Sequence, residues 1–366
     1  MIFKARSVLC LASSTGSPSL DRLVAPNAAG GTHRFVAVLA AILVCGVAAC
    51  APKQPLQPVP EAPVPVAPTL SPKAAETSFS VHVDGLEMAL SIVPAFVLPG
   101  QFLDVSASGA RSPLTARAGG GTLATTGANA WRWTAPKKPG DHWIHISMAS
   151  GEAIRVQIFV LLPYNGEPYV GGQRIGRYVA NAKEGDPAYV RPQGFVVVTP
   201  ANMSTLISPH FTLGQFLCKD DAPYPRYVSL RTPMILKLEL LLEALAHRGV
   251  PPSPEHLLPA STFHVMSGYR TPAYNAAIGN ETSMSRHVYG DAADVYLDLD
   301  GDGMQDDLNH DGRSTREDAM VMFRIVEEEI DPNLPESMQG GMAGYGTTKA
   351  HGPFLHIDTR GKKARW

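Results

Sequence analysis

The residues of this chain able to do chemistry together fall in three separated blocks. Ser267-Gly268-Tyr269-Arg270-Thr271-Pro272 comes first, Ser285-Arg286-His287-Val288-Tyr289-Gly290-Asp291-Ala292-Ala293-Asp294 follows, and Phe354-Leu355-His356-Ile357-Asp358 closes the set. His287 and Asp294 lie seven positions apart, a spacing that would align them on a helix. Gly290 between them, with Val295 and Tyr296 after them, instead predicts a turn running into a strand. On a strand, His356 and Asp358 share one face while Leu355 and Ile357 share the other. That places a polar pair toward a cleft and an apolar pair toward a core. Two His and one carboxylate suit catalytic zinc, with a fourth position left for water.

Taken together, the blocks resemble the zinc D-alanyl-D-alanine peptidase superfamily, which includes murein endopeptidases and shares the hedgehog-type fold. Its pattern S-G-Y-R, S-x-H-x-x-G-x-A-x-D and H-x-[HD] stands here as SGYR, SRHVYGDAAD and HID. The resemblance covers roughly residues 164–366. It implies an α+β zinc-peptidase domain with His287, Asp294 and His356 as zinc ligands. Arg270 would polarise the substrate carbonyl or hold a substrate carboxylate, and Ser285 would support the His287 loop. The general base stays open, because positions where relatives carry an acid or a His are here Pro353 and Phe354. Asp358, on the strand face of His356, is the first candidate and His351 the second. The implied partners are peptidoglycan peptides, and the implied reaction is hydrolysis of their cross-links or stems. A site without its base would leave a peptidoglycan-binding envelope scaffold instead.

Directly after Asp294 the chain turns acidic. Asp298, Asp300, Asp302, Gly303, Asp306 and Asn309 fall at positions 1, 3, 5, 6, 9 and 12 of an EF-hand-like loop. A second loop overlaps it through Asp307, Asn309, Asp311, Gly312, Thr315 and Asp318. Such spacing wraps oxygen atoms around a hard cation, so the insertion 298–318 predicts Ca²⁺ bracing the strand that carries Asp294. Without a cation, a solvated acidic loop has the same composition, and a third reading makes these loops a Ca²⁺-dependent adhesive centre. Ser314 to Glu317 reads as a capping box for a helix reaching about Ile330.

These blocks need elements to hold them. Thr232 as N-cap, Pro233 in the first turn and Ile235, Leu238, Leu242 and Leu245 on one face predict a buried helix that Gly249 ends. Upstream, residues 79–162 alternate at period two in Phe79–Val83, Phe102–Val105 and Trp143–Ile146, with Ile154–Leu162 a longer β-rich run. Pro-Gly, Ser-Gly and Gly-Gly-Gly turn signals separate them, which predicts a small all-β, immunoglobulin-like domain. Residues 163–366 then form the domain of the three blocks.

The beginning of the chain differs in kind. Phe35–Ala49 is an uncharged apolar run that rises only about 22 Å as a helix, too short for a hydrocarbon core of about 30 Å. It reads as a signal-peptide core, and Val47-Ala48-Ala49-Cys50 resembles the lipobox of bacterial lipoproteins, which implies acylation of Cys50. Residues 51–78 follow as a linker, with eight Pro between Ala51 and Pro72 favouring extended polyproline II. The resulting expectation is a protein of the cell envelope, lipid-anchored on the periplasmic side. Losing four basic residues and one acid with the first fifty leaves 27 basic against 32 acidic residues. That balance supplies no field for nucleic acid.

Overall fold

Nine strands built from alternating apolar residues form the first half of the structure. They are β1 (Ser80–Val83), β2 (Leu86–Met88), β3 (Ile92–Val97), β4 (Phe102–Ser108), β5 (Leu114–Gly119), β6 (Thr122–Gly127), β7 (Ala130–Thr134), β8 (Gly140–Met148) and β9 (Ala153–Val160). One sheet runs β2-β1-β4-β7-β6 and the other β3-β9-β8-β5. Period two sends Val81, Val83, Leu103, Val105 and Trp133 of the first sheet, and Val93, Ile144, Ile146, Val156 and Ile158 of the second, into the interior. This computed structural model describes residues 77–179, 186–248, 263–280 and 284–366, all within the unit Pro63–Trp366. The signal-like run, Cys50 and the Pro-rich segment lie outside the described residues. Among the described residues, no helix is long and apolar enough to cross a membrane.

The chain leaves the second sheet through β10 (Leu162–Pro163), then β11 (Tyr169–Val170) and β12 (Gln173–Arg174), a small hairpin. β13 (Gly194–Val198) pairs with both β10 and β14 (Arg226–Val228). Helix α1 (Thr232–His247) comes next. Arg231, not Thr232, is its N-cap; Thr232 is the first helical residue and its hydroxyl donates to the Pro94 carbonyl at 3.2 Å. The helix is buried on nearly every side, through Met234, Ile235, Leu236, Leu238, Leu241, Leu242 and Leu245. Its neighbours include β3 of the sandwich and the later helix. One continuous apolar core therefore runs from the sandwich into the second half. Truncating any of these leucines to alanine would cost about 2–5 kcal/mol.

The second half centres on β15 (Phe263–Ser267), β16 (Ala292–Leu297), β17 (Gly341–Tyr345), β18 (Phe354–Asp358) and β19 (Ala364–Arg365), in the order β15-β16-β18-β17-β19. Short helix α2 (Pro272–Ala277) follows β15, capped by the Thr271 hydroxyl. Helix α3 (Arg316–Ile325) lies against β17 and β18 and continues as a π-helical turn to Ile330. The capping box at its start is Thr315 with Asp318, one residue beyond the Ser314–Glu317 expectation. The protein is thus mixed α+β, mostly sheet with few helices.

Candidate metal centre

Local geometry explains why each ligand arrives where it does. A 3₁₀ turn, Arg286–Tyr289, carries His287 and ends on Gly290, whose φ is 73°. A Cβ there would stand 2.3 Å from the Ser229 carbonyl oxygen, so only glycine permits both the left-handed turn and the contact. The chain then enters β16, which presents Asp294. Antiparallel pairing sets Asp294 directly opposite His356 on β18 and Ser267 opposite Asp294 on β15. Gly268 follows β15, where a Cβ would stand 2.7 Å from the Phe216 backbone.

Three donor atoms converge here. His287 Nε2 is 3.2 Å from both Asp294 Oδ1 and His356 Nδ1, and His356 Nδ1 is 2.8 Å from Asp294 Oδ1. A tetrahedral zinc with bonds of about 2.0–2.1 Å spaces its donors roughly 3.3 Å apart, so these residues match the ion in type and spacing. The far nitrogens are also held. His287 Nδ1 is 2.7 Å from the Gly268 carbonyl, and His356 Nε2 is 3.5 Å from Asp358 Oδ2. With a proton on each far nitrogen, both near nitrogens and the carboxylate point lone pairs at one spot, which a cation or a proton must fill.

The electrostatics agree. Burial pushes His287 below its ordinary value, despite the attraction of Asp294. Burial also opposes charge on His356, yet hydrogen bonds with Asp294 and Asp358 lift it to about 9. Burial would raise Asp294, but the two imidazoles hold it well below the carboxylate range. The two shifts run in opposite directions, toward a charged His356 facing an ionised Asp294. His287, Asp294 and His356 form a cluster able to hold a metal ion.

The other expected site residues are placed differently. Asp358 does not enter the space between the ligands. It is fully buried, accepts from the Gly341 N–H at 2.7 Å, and takes Arg360 Nε at 3.0 Å on each oxygen. The imidazole and guanidinium beside it outweigh its burial and hold its carboxyl well below the ordinary range. It stands behind the ring of His356, on the side away from the other two donors. His351 sits edge-on to Phe354 at 4.8 Å, its Nδ1 2.8 Å from the Gly352 carbonyl, in a separate small cavity with Tyr296 and Met304. It does not line the metal cleft. Arg270 does, anchored through Nε to Ser267 Oγ at 2.7 Å and through Nη2 to Asp294. Ser285 lines the cleft too and is the N-cap of the turn carrying His287, its carbonyl accepting the Val288 N–H at 3.2 Å, while the Gly268 carbonyl steadies the ring.

The cleft encloses about 530 Å³. Its walls include residues that the sequence reading did not single out: Tyr189, Tyr345, Arg360 and Trp366. Arg286 forks onto Asp291 while its guanidinium lies over the rings of Tyr189 and Tyr289. Arg360 follows Asp358 by two positions, so strand parity could have placed it. Trp366 has no periodic signal; it reaches the cleft because Arg365 is tied to Glu327, Asp331 and the Gly340 carbonyl. Among the described residues lining the cleft, Asp294 has the sole side-chain carboxylate.

In the acidic insertion, oxygens of Asp298, Asp300 and Asp306 gather within 4.8 Å of one another. All three also accept backbone N–H groups of the loop, as do Asp302, Asp307, Asn309 and Asp311 outside that cluster. Asp318 is buried, and its oxygens take the N–H groups of Leu308, Asn309 and Thr315 as part of the capping box of α3. No family model, curated protein or solved structure matches this chain.

Proposed function

We propose that the protein is a zinc-dependent peptidase acting on peptide cross-links or stem peptides of bacterial peptidoglycan. The observation that carries the reading is the convergence of His287 Nε2, Asp294 Oδ1 and His356 Nδ1, each imidazole braced from behind by an acceptor. The three motif blocks that resemble the zinc D-alanyl-D-alanine peptidases supply exactly those residues in this reading, and the hedgehog-type fold goes with it. Zinc in this donor set supplies Lewis acidity to a carbonyl oxygen and acidifies water. Arg270, held at the edge of the cleft by Ser267 and Asp294, orients the scissile carbonyl. Asp358 keeps the proton on Nε2 of His356, so that Nδ1 stays available as a ligand. The sandwich is an immunoglobulin-like spacer, Cys50 the lipid anchor, and the cell envelope the location. Ca²⁺ at Asp298, Asp300 and Asp306 braces the end of β16.

Metal analysis and digestion of purified peptidoglycan by the full protein test this. Stoichiometric zinc and released peptides, both lost in His287→Ala, support it. Zinc-free protein that only sediments with the cell-wall polymer would leave the inactive envelope scaffold as the better account.

A further inference from the structure

With Asp358 turned to the back of His356 and His351 outside the cleft, Arg270 is the one protein group that the peptidase reading has so far set at the scissile carbonyl. The cleft wall offers a second. Tyr345 ends β17, where the register sets Ala343 opposite His356 and Tyr345 opposite Phe354. Tyr345 is thus the diagonal neighbour of His356, within reach for a long aromatic side chain. Its ring is stacked on Phe354, centroids 4.8 Å apart and 11° from parallel, which fixes its plane. The Arg316 Nε–H donates to the preceding Gly344 carbonyl at 2.7 Å and steadies the strand end.

The hydroxyl is oriented as well. The Trp366 Nε1–H donates to Tyr345 Oη at 2.7 Å and occupies one lone pair of the phenol. Among the described residues, no acceptor takes the phenol's own proton. The Trp366 ring lies 5.4 Å from the ring of His356, so the N–H that aims the phenol stands beside a metal ligand. Tyr345, 38% exposed, and Trp366, 52% exposed, both line the metal cleft.

We propose that Tyr345 is a catalytic residue that donates its O–H to the scissile carbonyl oxygen, and that Trp366 is the positioning residue that aims it. This rests on the peptidase reading. The phenol keeps its proton throughout. Water forms the new C–O bond at the acyl carbon, the C–N bond breaks with its electron pair leaving on nitrogen, and both water protons end on the released ammonium, leaving a carboxylate. Tyr345 stabilises the negative charge that passes through the carbonyl oxygen between these events.

The test compares Tyr345→Phe, Trp366→Phe and the double variant with the wild type, as full chains carrying zinc. Tyr345→Phe should lower kcat about a hundredfold, the loss typical of one such donor, with KM changed by less than about threefold. Trp366→Phe keeps a ring against His356 but loses the N–H, and should lower kcat about tenfold; the double variant should be no worse than Tyr345→Phe alone, because both act on one hydrogen bond. A phosphinate pseudopeptide, a non-hydrolysable tetrahedral probe, should bind both single variants more weakly by calorimetry, while zinc content stays stoichiometric. Wild-type kinetics and probe affinity in Tyr345→Phe, or losses that multiply in the double variant, would overturn the assignment while leaving the peptidase reading in place. A wild type that neither hydrolyses peptidoglycan nor binds the probe would sink both.

Discussion

The carboxylate of Asp358 stands 3.5 Å from Nε2 of His356, on the ring edge opposite the one that meets Asp294 at 2.8 Å. His356 is thereby clamped between two acids, one at the centre and one behind it. A carboxylate behind a ligating imidazole fixes its tautomer and strengthens it as a donor.

Replacing that rear carboxylate should weaken the metal before it affects anything else. Asp358→Asn is expected to lower zinc affinity about 10–100-fold, read by competition with a chromophoric chelator. Turnover at saturating zinc should fall far less. Unchanged zinc affinity with abolished turnover would restore Asp358 as the general base.

Gly341 makes the rear clamp possible. A Cβ there would stand 2.6 Å from Asp358 Oδ2 and 2.7 Å from both Arg360 Nη2 and Trp366 Cζ3. Gly341→Ala should displace these groups together, loosening zinc binding and blue-shifting or broadening the Trp366 contribution to fluorescence, while the far-ultraviolet dichroism stays native. A variant with wild-type metal affinity and emission would show that the clamp tolerates movement.

How much of this could be read from the residues alone depends on the kind of information each feature needs. Gly290 followed by Ala292-Ala293-Asp294-Val295 encodes a turn into a strand, and β16 begins as that pattern requires. Period two correctly put His356 and Asp358 on one strand face. It says nothing about which edge of an imidazole a carboxylate meets, because that depends on Gly341, which donates to Asp358 from seventeen residues away. Asp318 was ambiguous for a similar reason. An acid at the end of a loop and an acid at the start of a helix are the same residue in sequence, and here the backbone N–H groups claimed it. Trp366 lay beyond any local rule, since three separated partners of Arg365 deliver it.

Those partners include a buried pair whose two halves should differ in cost. Lys237 on α1 is fully buried and stands 2.7 Å from Asp331 Oδ1, while Arg365 holds the other oxygen at 2.6 Å. Lys237→Met leaves Asp331 with Arg365 and should cost about 1–3 kcal/mol, below the 3–5 typical of orphaning a buried charge. Asp331→Asn strips the counter-ion from two cations and should cost more. Urea denaturation of the two variants checks the order; equal losses would mean that Arg365 does not compensate.

Acid should undo the same region. Burial works against charge on Glu327, but Lys363 and Arg365 outweigh it and hold its carboxyl below the ordinary value, as His356 and Arg360 do more strongly for Asp358. Depressed carboxyl values in the folded state contribute stability that is present above the unfolded value of about 4 and fades as pH falls through the folded values. The melting temperature of the metal-free protein should therefore hold near neutrality and drop below about pH 4. In Glu327→Gln that drop should shrink. A drop of the same size in the variant would assign it to other acids.

The Thr232 hydroxyl on the Pro94 carbonyl, within an unbroken apolar core, has a further consequence. The sandwich and the sheet of the candidate metal centre should share one melting event, with neither a detachable cartridge. A cut between them would bare the leucine-rich flank of α1 to water and invite aggregation. The sandwich therefore acts as a rigid mount: whatever it touches sets the direction in which the cleft faces.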